Sequence, residues 1–225
     1  MDKKINITLC CPSRGRPYYA KRMQDSALQT AKHPDKIKIK FYLNQDDPEL
    51  KNYKCIDYEV GIDRSTVMSW NLIAESSPSI MYMLVGDDAE FITKNWDQIF
   101  LDQYKKYPDG IFMIGTATGK QHGLIHKTSP HPVITKEWRN ALGYFWPVQF
   151  HHWCLDNYTN DLATRINRYI FLEDVMIKVK KITEDNTAKR IRTDAVNKRD
   201  QWVYEKTKQC YFEYDVAKLI KACSK

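Results

Sequence analysis

Apolar positions in this chain fall in short runs separated by polar turns, and the spacing within the runs alternates between strand-like and helix-like. Residues 5–11 (INITLCC) form an apolar, β-prone run that ends in Pro12-Ser13-Arg14-Gly15-Arg16-Pro17, a loop dense in turn residues and guanidinium groups. Residues 18–31 carry helical spacing, with Met23, Ala27 and Leu28 on one side, and His33-Pro34-Asp35 ends it. Residues 37–43 (IKIKFYL) alternate as a half-buried strand does, which makes the opening order β-α-β. Asn44-Gln45-Asp46-Asp47-Pro48 closes that strand, Tyr58-Glu59-Val60 reads as another short one, and residues 65–75 read as a helix with Val67, Leu72 and Ile73 inside. The most apolar run of the chain, 80–85 (IMYMLV), stops abruptly at Gly86-Asp87-Asp88. That is the pattern of a central parallel strand delivering carboxylates at its C-terminal end, where open α/β sheets bind ligands.

The second half is less regular. A helix is expected at 96–106, a strand at 110–115, a polar loop at 116–132, a helix from Lys136, a helix at 156–166, and apolar β-prone segments at 169–172 and 175–179. Beyond 176 the chain turns basic. Residues 176–208 hold ten Lys and Arg against five Asp and Glu, with Trp202 and Tyr204 interleaved, and no amphipathic helix stands out there. There is no internal repeat and no linker long enough to separate a pair of domains, so the expectation is one α/β domain over 1–182. Residues 183–225 would form a basic, aromatic extension packed on it.

Composition narrows the class. With 225 residues, 43% hydrophobic and 12% aromatic, the chain can build a sizeable core, which excludes disorder and coiled coil as whole-chain readings. No stretch approaches the roughly 20 apolar residues of a membrane span, and the start lacks a signal-peptide pattern, so a cytoplasmic location is expected. The six cysteines form no CxxC pair and read as free thiols. His151-His152-Trp153-Cys154 lacks the second ligand pair of a structural zinc site. The net charge of +7 is compatible with a polyanionic partner.

Adjacent aspartates after a buried strand are costly unless they meet a cation, a sugar hydroxyl or water, although an acidic strand-end turn would look the same. Their context is more informative. The order βα, βα, apolar strand, Gly-Asp-Asp resembles the GT-A glycosyltransferases, whose DXD motif sits at this place. ITLCCPSRGRP resembles their first strand and nucleotide-binding loop, FYLNQDDPEL their second strand, GIDRSTVMSWNLIAE the helix before the DXD strand, and GYFWPVQFHHWCLDNYTNDLATRI the acceptor-side segment. The likeness covers residues 5–180 and is nearest to small phage-encoded and bacterial inverting enzymes.

The resemblance implies a Rossmann-like GT-A domain with a mixed, mainly parallel sheet and helices on both faces. It further implies transfer of a sugar from a nucleotide diphosphate, most commonly uridine diphosphate, to an acceptor hydroxyl. Pro12, Ser13, Arg14 and Arg16 would face the donor, Asp46 or Asp47 its base, and Arg64 and Asn71 would lie nearby, where a surface charge and a helix residue are equally natural. Asp88, with Asp87 beside it, would hold Mn²⁺ or Mg²⁺ through hard oxygen ligands. The general base would be Asp156, which also suits a helix N-terminus, with Asp174 in reserve; His152, Trp153 and Tyr144 would form the acceptor wall.

One departure stands out. Many members complete the metal site with a histidine on a late strand, where this chain has Val179 among Lys178, Lys180 and Lys181. Either Asp88, the diphosphate and water hold the ion, or Lys178 or Lys180 replaces some of its charge. For the acceptor, the basic tail favours DNA carrying a 5-hydroxymethylpyrimidine, with an envelope glycan as the rival; a nucleic-acid-binding protein without turnover is the reading from another class.

Overall fold

Burial on both faces of its central strands explains the apolar runs. The computed structural model describes residues 5–121, 124–125, 129–180 and 185–223; Lys181, Glu184 and some of the loop at 116–132 lie outside the described residues. β1 (Ile7–Ser13) is buried almost throughout. α1 (Pro17–Thr30) starts with a proline, whose missing N–H costs nothing at a helix start, and buries Ala20, Met23 and Ala27. β2 (Ile37–Asn44) and β3 (Tyr58–Gly61) follow, then α2 (Thr66–Glu75), capped by the Ser65 side chain accepting from the Met68 N–H. α2 turns Val67, Trp70 and Ile73 inward, and Leu72, expected inside, stands 39% exposed on the opposite side. β4 (Met81–Leu84) is buried at every position.

The remaining elements are β5 (Ala89–Phe91), α3 (Trp96–Tyr104), β6 (Met113–Ala117), a small hairpin of β7 (Lys120–Gln121) and β8 (Leu124–Ile125), and β9 (Val133–Thr135). After these come α4 (Lys136–Leu142), α5 (Leu155–Arg165), β10 (Tyr169–Val179), α6 (Asn186–Ile191), α7 (Asp194–Cys210) and α8 (Phe212–Cys223). Eight strands form one mixed sheet in the order β3-β2-β1-β4-β9-β6-β10-β5. β1 pairs in parallel with β2 and β4, β2 with β3 and β6 with β10; β9 runs antiparallel between β4 and β6, and β5 antiparallel against β10. This is the α/β, Rossmann-like GT-A arrangement.

Two cores cover the two faces of the sheet. One gathers Met23, Phe41, Trp96 and Phe100 beneath α1 and α3; the other gathers Trp70, Trp138, Trp146 and Tyr158 beneath α2, α4 and α5. The sequence pattern is amended in three places. The segments at 169–172 and 175–179 are one strand, β10, whose pairing with β6 shifts register between Leu172 and Met176. The expected strand at 110–115 begins only at Met113. The basic tail is helical, and α8 places Phe212, Val216 and Leu219 in the second core at i, i+4 and i+7, the spacing of one helix face. No helix among the described residues is long and apolar enough to cross a membrane.

Candidate active site

The C-terminal ends of β1 and β4 are neighbours in the sheet, and the segments leaving them form the floor of a cleft. Two adjoining cavities, about 120 and 320 Å³, occupy it and share Trp70, Gly86, Asp88, His152 and Arg192 in their walls. The smaller lies over the loop after β1. There the buried Arg16 donates to Asp87 at 3.0 Å and to Asp185, ahead of α6, at 2.5 and 2.7 Å. Ser13 donates its hydroxyl to Asp87 at 2.7 Å and shares a hydrogen bond with the Tyr53 hydroxyl, which also accepts from the Arg16 N–H. Gly15 adopts φ +64, a left-handed conformation that favours glycine, and its N–H donates to Asp47. Burial raises the Asp87 carboxyl to about 6, against the opposing pull of Arg16 and the Ser13 hydroxyl. Arg16 in turn holds Asp185 below the ordinary carboxylate range.

Asp88 belongs to both cavities. Its nearest cation is Arg192, at 3.9 Å, and its backbone carbonyl accepts from the Arg22 guanidinium and the Lys180 N–H. Burial raises its carboxyl, and Arg16 and Arg192 oppose the rise. A Cβ on Gly86 would come within 2.6 Å of the Asp88 Oδ1, so glycine lets the carboxylate lie back over the chain. No group of three His, Cys, Asp or Glu among the described residues is placed to hold a metal ion. The donor set fits a divalent ion bound by one carboxylate, Asp88, and completed by phosphate oxygens and water, because such ions commonly take few protein ligands beside a substrate phosphate. Asp87, expected to share the ion, is instead engaged by Ser13 and Arg16.

The larger cavity brings Asp156 and Trp153 together with the shared Asp88 and His152. Asp156 lies in the first turn of α5, accepts from the Asn157 N–H at 3.0 Å, and has its carboxyl raised by burial. A raised carboxyl is a stronger base once deprotonated. Asp200, fully buried on α7, accepts from the backbone N–H groups of His151, His152 and Trp153 at 2.9, 2.7 and 2.7 Å. A side chain from the basic tail therefore fixes the turn that carries His152 and Trp153 to the larger cavity.

The structure sorts the expected residues. Pro12, Ser13, Arg14, Arg16, Arg64, Asp87 and Asp88 line the smaller cavity; Trp153 and Asp156 line the larger, and His152 both. Asp46 pairs with Arg14 at the exposed rim, and Asp47 accepts the Gly15 and Glu49 N–H groups, so it shapes the loop. Asn71 is outside the cleft and clamps the Trp146 backbone through both ends of its amide. Tyr144, expected at the acceptor wall, donates to the buried Asp215 of α8, which also binds the Tyr158 hydroxyl. Asp174 is exposed at the register shift of β10, with its carbonyl accepting from Thr93. Lys178 is exposed opposite Glu90 on β5, and the Lys180 ammonium sits 5.5 Å from the Tyr19 ring centroid. Neither lysine lines the cleft, whose cations among the described residues are arginines.

Sequence reasoning missed Arg190, Arg192, Asp185, Asp200, Trp70 and His131 as members of the cleft or its supports. Only local cues were present, such as Asp185 before Asn-Thr-Ala, an N-cap pattern that the structure realises with the Ala188 N–H.

The chain superposes on S. aureus TarS residues 1–349 in complex with UDP-GlcNAc with a TM-score of 0.63 at 8% identity, covering 82% of this chain and 61% of that one. It superposes on the mannosyltransferase PcManGT from Pyrobaculum calidifontis in complex with GDP-Man and Mn²⁺ with a TM-score of 0.62 at 11% identity, covering 98% and 74%. At such identities the likeness establishes the fold, and the chain spans about 61% of the TarS fragment. No family model and no curated protein matches the sequence.

Proposed function

We propose that this protein is a glycosyltransferase that moves a sugar from a nucleotide diphosphate to an acceptor hydroxyl, with inversion. The observation that carries the reading is the division of the cleft. Five guanidinium groups (Arg14, Arg16, Arg64, Arg190 and Arg192) and two carboxylates (Asp87 and Asp88) line the smaller cavity, and Asp156 lines the larger one that adjoins it. Guanidinium groups suit a diphosphate, whose charge grows as it leaves the anomeric carbon, and in this reading Arg14, Arg190 and Arg192 exchange their carboxylate partners Asp46, Asp63 and Asp88 for its oxygens. Uridine diphosphate is the preferred carrier, and guanosine diphosphate the alternative.

In this reading Arg190 and Arg192 meet the charge that collects on the leaving diphosphate, while Arg16 stays paired with Asp87 and Asp185 and orders the loop beneath it. When bound at Asp88, Mn²⁺ or Mg²⁺ would add Lewis-acid stabilisation to the leaving group. Asp156 takes the proton from the acceptor hydroxyl, whose oxygen forms the new bond to the anomeric carbon as the bond to the diphosphate breaks. Trp70 and His152, walls of both cavities, exclude water from that junction. Residues 1–182 carry this chemistry in the proposal, and 183–225 supply Asp185, Arg190, Arg192 and Asp200 to it.

DNA as acceptor is a second reading, favoured by exposed Lys198, Lys206 and Trp202 on α7. Internal pairing weakens it: Arg190 meets Asp63, Arg192 Asp88, Arg199 Asp200 and Lys208 Asp161. The test is release of nucleotide from a panel of UDP-, GDP- and dTDP-sugars, with Mn²⁺ or EDTA and with or without acceptor. At least one donor is expected to be turned over and Asp88→Asn to slow it at least about 100-fold, the scale of a lost transition-state charge contact. Turnover of no donor, or full activity of Asp88→Asn, would refute the reading.

A further inference from the structure

We propose that a groove between α4, α7 and α8, apart from the cleft, is a second binding site whose ligand is a chain of neutral sugars. The inference goes beyond the proposed function, because the groove shares no lining residue with either cavity of the cleft. Its two cavities, about 530 and 490 Å³, meet at Lys218, and each is larger than those of the cleft. Around the first stand Trp202 of α7, Tyr211 between the helices and Tyr214 of α8, which are 60, 60 and 61% exposed. A protein surface rarely gathers large rings at one place unless something packs on them. The frame beneath them is fixed. Asp215, buried, accepts from the Tyr144 and Tyr158 hydroxyls, and Lys218 donates to the Leu142 carbonyl at 3.1 Å with its ammonium 4.4 Å from the Tyr214 ring centroid.

The chemistry of the walls selects the ligand. Among the described lining residues of both cavities, Lys206, Lys218 and Lys221 are balanced by Asp109, Glu137 and Asp215, so the groove complements a ligand without net charge. A single nucleic-acid strand would stack on the rings and then meet Asp109 and Glu137 where its phosphates need cations. An apolar peptide helix needs aliphatic side chains to pack on, and around the first cavity only Leu142 and Val203 supply them. A sugar chain matches both cavities. The C–H face of a pyranose packs on an indole or phenol ring, and its hydroxyls, which donate and accept, meet Gln149, Lys206 and Asn140 at the exposed rim. Each cavity lies within the roughly 300–1,000 Å³ of ligand pockets, and end to end the pair suits several linked rings.

The test follows the indole N–H signal of Trp202, assigned by its loss in Trp202→Ala, in the ¹⁵N-labelled full chain. The probes are cellohexaose, laminarihexaose, maltohexaose, mannohexaose and chitohexaose, with an oligothymidylate and phosphatidylglycerol vesicles as the other arms. At least one hexasaccharide is expected to move the signal, and excess UDP or GDP to leave that shift unchanged. Trp202→Ala and Tyr214→Ala should each weaken binding, read by saturation-transfer NMR, at least about 10-fold with the thermal midpoint unchanged, and Trp202→Phe, which keeps a ring, should recover most of it. The proposal is overturned if no hexasaccharide moves the signal, if excess nucleotide abolishes the shift, or if both alanine variants bind as the wild type does. It is also overturned if only the oligonucleotide, the vesicles or dilution of the protein moves the signal, which would assign the face to nucleic acid, a membrane or a second copy. None of these readouts requires donor turnover, so the groove and the glycosyltransferase reading stand or fall separately.

Discussion

The two halves of the cleft solve the problem of buried polarity in opposite ways. On the donor side the charged groups satisfy one another: Arg16 bridges Asp87 and Asp185, Ser13 adds a hydroxyl to Asp87, and Arg14 pairs with Asp46. Around the larger cavity His131, His152 and Trp153 keep buried nitrogens without partners among the described residues. The first arrangement is rigid before any ligand arrives, which suits a constant and highly charged group such as a diphosphate. The second is lined by Trp70, Leu84, Trp153 and Leu155 with Arg192 as the one cation among its described lining residues, which suits a ligand of little charge. Under the proposed reading, recognition of charge falls to the smaller cavity and placement of the acceptor to the larger.

The largest expected effect breaks the acceptor half alone. Asp156→Asn should lower transfer by about 10²- to 10⁴-fold, the usual contribution of a general base, while nucleotide affinity measured by calorimetry stays at the wild-type value. An equal loss of both would place Asp156 in the donor half. The donor half should break in stability. Arg16→Met leaves Asp87 and Asp185 without their shared cation and should cost about 3–5 kcal/mol in urea unfolding. A second substitution, Asp87→Asn, should recover some of that loss; no recovery would mean that Asp87 is not held by Arg16.

Asp200→Ala removes the acceptor for three backbone N–H groups at 151–153 and should cost about 1–3 kcal/mol, with acceptor affinity falling further than nucleotide affinity. The smallest effect is a contrast in pH dependence. His131 has its pKa lowered from 6.5 to about 4 by burial, so the unfolded chain binds more protons in that interval and stability contributed by this site rises with pH across it. Asp87 has its pKa raised from 3.8 to about 6, so the native state binds more protons and its contribution falls as pH rises across that window. Urea midpoints from pH 4 to 7 should therefore change slope in opposite directions in His131→Gln and Asp87→Asn. The same direction in both would contradict the environments assigned to them.

Much of the frame is visible in the chain because it is written locally. The alternation of 37–43, the apolar run at 80–85 and the helical spacing of 65–75 each decide an element without distant help. Gly86-Asp87-Asp88 announces a site for the same reason. What escapes is set by contacts across the sequence. Asp87 is sealed by residues of the β1 loop, and Arg16 reaches Asp185, 169 positions away. Asp200 grips a turn nearly fifty residues earlier, and His131 falls in a segment that reads as loop. The basic tail was misleading, because charge and aromatic content are properties of composition, whereas the fold decides that Phe212 faces inward and Trp202 outward. The i, i+4, i+7 spacing of Phe212, Val216 and Leu219 and the Asp185 cap pattern are readable signs that the tail is helical.

The most direct test of the division is a titration of ¹⁵N-labelled protein with UDP and with GDP, followed by backbone amide shifts. The account predicts that at least one nucleotide moves the amides of Ser13, Gly15, Gly86 and Asp88 first, and leaves those of Ser129, His131 and Asp156 nearly in place. Shifts that begin at His131 and Asp156 and spare the β1 loop, or no shift with either nucleotide, would contradict it.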